Sequence, residues 1–66
     1  MDAAERYHLT LAVDGRQVMH GWWGSEKTAR RKFTRWIGKH SSMPGARITL
    51  ADDEAGTVLT TWPDEA

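Results

Sequence analysis

The sequence predicts an α+β fold of order ββαββ, a four-stranded antiparallel sheet with a single helix packed on one face. Three observations predict it. Apolar residues alternate with period 2 from Tyr7 to Val13 and again after Ala46, and a stripe at helical spacing runs from Ala29 to Ile37 between them. Asp14-Gly15 and Asp53-Glu54-Ala55-Gly56 are turn sequences that would each close a hairpin.

In the first strand Tyr7, Leu9, Leu11 and Val13 alternate against His8, Thr10 and Ala12, as a half-buried strand requires. Asp14-Gly15 tolerates positive φ at both central positions of a type I′ turn, so a second strand should run from Arg16 to about Trp23. With Val13 opposite Arg16, a regular ladder sets Leu11 against Val18, Leu9 against His20 and Tyr7 against Trp22 on the inward face. Met19 and Trp23 then fall on the other face.

Gly24-Ser25 breaks the alternation. Ser25 suits an N-cap, its hydroxyl accepting from an early helical N–H, and Glu26 suits the positive helix end. Ala29, Phe33, Trp36 and Ile37 then fall on one face at about 100° per residue. Gly38 reads as the residue that ends the helix, and Lys39 to Gly45 as a loop, since Ser41-Ser42 and Pro44-Gly45 are turn chemistry.

Ala46 to Asp52 reads as a third strand, the turn after it as one with a left-handed Gly, and Thr57 to Trp62 as a fourth strand ended by Pro63. The two hairpins resemble each other, Thr10-Leu11-Ala12 leading to Val18 and Trp22 as Thr49-Leu50-Ala51 leads to Val58 and Trp62. This phasing puts Val58 and Trp62 inward as well. A right-handed crossover gives the strand order 2-1-3-4, with 1-2-4-3 as the alternative. The expected core is Leu9, Leu11, Val18, Trp22, Ala29, Phe33, Trp36, Ile37, Ile48, Leu50, Val58 and Trp62.

Sixty-six residues hold one small domain, over 1–66 with an ordered core of about 6–63. Such a chain buries only about 60% of the surface it exposes when unfolded, and four Trp help to meet that need. Nine Lys and Arg balance nine Asp and Glu, and there is no Cys for a disulfide or thiolate site. The Met-Asp-Ala-Ala-Glu start lacks the basic and apolar parts of a signal peptide, and no apolar run approaches a membrane span. A cytoplasmic protein with no membrane partner is expected.

Charge carries the main functional lead. Lys27, Arg30, Arg31, Lys32, Arg35 and Lys39 fall in one segment with only Glu26 against them. On a helix, Lys27, Arg31 and Arg35 form a row opposite the apolar stripe, flanked by Arg30 and Lys32. Like charges at i and i+4 repel, so a helix built for stability alone would mix acids among them. Such a row suits a phosphate backbone, of DNA or RNA, and the five residues from Lys27 to Arg35 are the expected contacts. The alternatives are an acidic protein partner, or a solvated face balanced by Asp52, Asp53, Glu54, Asp64 and Glu65.

The sheet face away from the helix is the second lead. With the regular phasing it presents Gln17, Met19, Trp23, Arg47 and Leu59 among threonines, too apolar for plain solvent. Homodimerisation, or use as a small inhibitor or adaptor, would cover it. The same face could also read nucleic acid, with Gln17 and Arg47 on base edges and Trp23 as a stacking plane.

No catalytic chemistry is evident. His8, His20 and His40 are scattered without metal-ligand spacing, no nucleophile has a base beside it, and Asp52-Asp53-Glu54 lacks the spacing of a calcium loop. Neither enzymatic activity, nor a cofactor, nor a metal is expected. In architecture alone, the sheet with one basic helix resembles the arm-binding domains of tyrosine recombinases. That resemblance implies DNA binding but carries no residue over, and those domains place three strands before the helix, whereas here the helix lies between two hairpins.

Overall fold

A computed structural model describes residues 5–63. The acidic start at 1–4 and the tail acids Asp64 and Glu65 lie outside the described residues. The elements are β1 (Tyr7–Val13), β2 (Arg16–Trp23), α1 (Glu26–His40), β3 (Ala46–Asp52) and β4 (Thr57–Trp62). They form one antiparallel sheet in the order β2-β1-β3-β4 with α1 on one face, as the right-handed crossover requires. Among the described residues no helix is long and apolar enough to cross a membrane.

The two central strands make the core. Leu9 stands opposite Leu50 and Leu11 opposite Ile48, and all four side chains are fully buried beneath the helix. Ala29 is the one fully buried helical residue, and its small side chain lets α1 approach the sheet closely. Phe33, Trp36 and Ile37 pack around it half-buried, because one helix cannot seal a four-stranded sheet at its edges.

The local signals act as their chemistry dictates. Asp14 and Gly15 take φ of 54° and 81°, the pair of positive values that a type I′ turn needs, and Gly56 takes φ of 69° in the second turn. Ser25 caps α1 by accepting from the Thr28 N–H at 3.3 Å. Gly38 does not end the helix. The chain stays helical to His40, where the Ser41 N–H closes on the Ile37 carbonyl at 2.8 Å. One exposed Gly costs a helix only about 1 kcal/mol, which the packing of Trp36 and Ile37 offsets.

Both hairpins depart from a regular ladder by one residue, and this overturns part of the expected core. In the first, Ala12 pairs with Gln17 but Leu11 pairs with Met19, leaving Val18 unopposed. A one-residue insertion exchanges the faces of everything beyond it. Leu9 therefore stands opposite Gly21 and Tyr7 opposite Trp23, so Met19 and Trp23 pack on the core. Val18 and Trp22 are 52% and 44% exposed. The sterics favour this phase. A regular ladder would press the His20 imidazole into the core, whereas the bulge puts Gly21 there, and the Trp23 indole lies across it so closely that a Cβ at Gly21 would come within 2.8 Å of the ring. Trp23 then meets Trp36 edge to face at 6.2 Å.

The second hairpin repeats the device. Ala51 pairs with Val58 and Leu50 with Thr60, leaving Leu59 unopposed. Leu59 and Trp62 pack on the core, as expected for Trp62 but not for Leu59, and Val58 is 59% exposed. The likeness between the hairpins thus holds at Val18 and Val58, both exposed, and at Met19 and Leu59, both packed on the core. It fails at the tryptophans, because the unopposed residue sits one position later in the second hairpin.

Candidate functional site

Two surfaces lie on opposite sides of the molecule. On the helix side, Lys27, Arg31 and Arg35 follow one another at four-residue steps and are exposed, while Lys32 is half-buried beside them. Glu26 is the only acid on the helix, and it accepts from Arg30 Nε at 2.7 Å, so Arg30 is held back toward the helix start. Among the described residues no side-chain hydrogen bond or ion pair engages Lys27, Arg31 or Arg35.

Among the described residues, the acids of the β3–β4 turn that could have neutralised this row are engaged elsewhere. Arg6 donates to Asp52 through Nε at 2.9 Å and Nη2 at 2.7 Å, and its Nη1 lies 3.5 Å from Glu54. Asp52 is buried, so the acidic turn is not simply solvated. Its carboxyl is held below the usual carboxylate range, chiefly by the hydrogen bond from Arg6, against which burial works and to which the Ala55 and Glu54 N–H groups add. The same bond raises the Arg6 guanidinium above its ordinary value.

On the open sheet face the first bulge creates a cluster that the regular phasing hides. His8 and His20 were expected on opposite faces, but with Val18 unopposed both stand on the open side with Trp22. His8 Nε2 lies 3.1 Å from His20 Nδ1. The His8 ring stacks flat on Trp22 at 4.2 Å and 5°, and His20 meets Trp22 edge-on at 4.8 Å. Trp22 Nε1 donates to Asp53 Oδ2 at 3.1 Å, and the same oxygen lies 3.9 Å from His8 Nδ1. Histidines twelve residues apart carry no spacing signal of their own. Only the register of the hairpin reveals the pair.

Of the five residues expected on this face, Gln17 and Arg47 are exposed, whereas Met19, Trp23 and Leu59 are turned to the core by the two bulges. The exposed apolar side chains there are Trp22 and Val58. Comparison with protein-family models, curated proteins and solved structures gives no match for this chain.

Proposed function

We propose that this protein is a small nucleic-acid-binding protein in which Lys27, Arg31 and Arg35 contact backbone phosphates, with Arg30 and Lys32 flanking them. The observation that supports this reading most is the set of acids engaged away from the row: Glu26 by Arg30, Asp52 and Glu54 by Arg6, and Asp53 by Trp22. A zero net charge then coexists with a local row of positive charge, which is what phosphate contact needs. Arg30 shares its charge with Glu26 and should contribute less than Arg31 or Arg35.

Titration of a labelled duplex, and of single-stranded DNA and RNA, at low and at physiological salt tests the reading. Binding should be detectable at low salt and should be clearly weaker in Arg31→Ala with Arg35→Ala. No binding by the parent at low salt, or equal binding by the double variant, rejects it.

A second reading rests on Trp22 and Val58, exposed on a face that no described element covers. In it the open sheet pairs with a second copy or another protein, and the helix row meets an acidic partner rather than phosphate. Sedimentation of the parent and of Trp22→Ala separates this reading from a monomer. A parent that stays monomeric at high concentration removes the homodimer.

A further inference from the structure

We propose that His8 and His20 form a two-histidine site for a late first-row divalent ion such as zinc, nickel or copper, on the sheet face opposite the helix. Imidazole nitrogen is the ligand these ions prefer among the side chains available in a chain without Cys. The spacing fits. Two nitrogens each about 2.0–2.1 Å from one ion stand roughly 2.9 Å apart at a right angle and roughly 3.4 Å apart at the tetrahedral angle. His8 Nε2 and His20 Nδ1 are 3.1 Å apart, between those limits.

The surroundings hold one ligand and leave the other adjustable. Asp53 Oδ2 on the Nδ1 side of His8 favours the proton there, which leaves Nε2 with its lone pair toward His20. Stacking on Trp22 fixes the plane of that ring, and the bond from Trp22 Nε1 fixes Asp53 in turn. In the metal-free protein His20 Nδ1 is then the donor in the pair. On binding an ion its proton passes through solvent to its own Nε2, which is possible because His20 is exposed, and no net proton is gained or lost. The His20 ring turns about χ2, a soft torsion, so that its lone pair meets the ion rather than the His8 nitrogen.

The charge is also suitable. The Asp53 carboxylate offsets the incoming charge from beyond the first ligand, in the manner of a carboxylate–histidine–metal arrangement. Arg47, the open-face cation of β3, lies four residues from Ala51, level with His8, and two from Thr49, level with His20, about 13 and 7 Å along the strand and two strands away from His20. Among the described residues no group of three or more His, Asp or Glu side chains is placed to hold an ion, so the described residues supply two ligands, the other positions being open to water or to another group.

Titrating the full-length protein with zinc and nickel chloride, followed by calorimetry and by nitrogen shifts of the imidazoles, tests the proposal. One ion per chain should bind, His8 Nε2 and His20 Nδ1 should both move to metal-bound values, and His20 should change tautomer. His20→Gln, at an exposed position, and His8→Gln should each weaken binding roughly tenfold or more, with His40→Gln unchanged as the control. Circular dichroism checks that each variant is folded. No binding by the folded parent at millimolar ion, or binding retained in folded His20→Gln, overturns the site. Two chains sharing each ion would overturn the one-to-one form.

Discussion

Asp52 accepts four hydrogen bonds, two from the Arg6 guanidinium and one each from the N–H groups of Glu54 and Ala55. It thereby ties the start of β1 to the β3–β4 turn, 46 positions along the chain. Because its folded carboxyl sits below the ordinary value, the folded state binds a proton less readily than the unfolded chain does. Its contribution to stability should be complete above the unfolded value of about 3.9 and should disappear as pH falls through the lower folded value. Urea midpoints measured from pH 7 down to pH 2 should therefore show Asp52→Asn well below the parent at neutral pH, the gap closing in acid. A constant gap would contradict the assignment. At Ser25 the cap is one hydroxyl on the Thr28 N–H, so Ser25→Ala should cost about 1 kcal/mol in the same measurement.

The two hairpins show how an element can be legible in its extent and illegible in its phase. Alternation and turn chemistry are local, and they place β1 to β4 and the type I′ turn. Crossover handedness supplies the order β2-β1-β3-β4. The bulges at Val18 and Leu59 were not legible, because inserting one residue leaves composition and alternation intact on either side. What selects them is tertiary: Gly21 makes room for Trp23, and Trp36 on the helix receives its edge. The helix row was legible because it needs only the 3.6-residue period, while the His8–His20 pair was not, since it follows from the bulge. Truncation separates the two phases. Trp23→Ala should cost toward the lower end of roughly 3–5 kcal/mol, being only part-buried, and Trp22→Ala clearly less. The reverse order would restore the regular ladder. Deleting Val18 should cost less than Trp23→Ala, since it removes the unopposed residue and leaves Met19 opposite Leu11 and Trp23 opposite Tyr7.

At the scale of the molecule, the sheet separates a cationic helix from an open face bearing histidines and tryptophan, within principal extents of 35 × 21 × 20 Å. From Lys27 to Arg35 the row covers eight residue steps, about 12 Å of helix. Along one strand of a duplex that length holds three to four phosphates at roughly 3.4 Å spacing, enough for each of the three cations to reach its own. Neutralising three phosphates predicts that the logarithm of duplex affinity falls against the logarithm of salt with a slope of about −2.7, steeper if Arg30 and Lys32 join. That slope, measured for the parent and for Arg31→Ala with Arg35→Ala, tests phosphate contact most directly. The double variant should be shallower by about two. A parent affinity insensitive to salt, or a slope the same in both proteins, would contradict it.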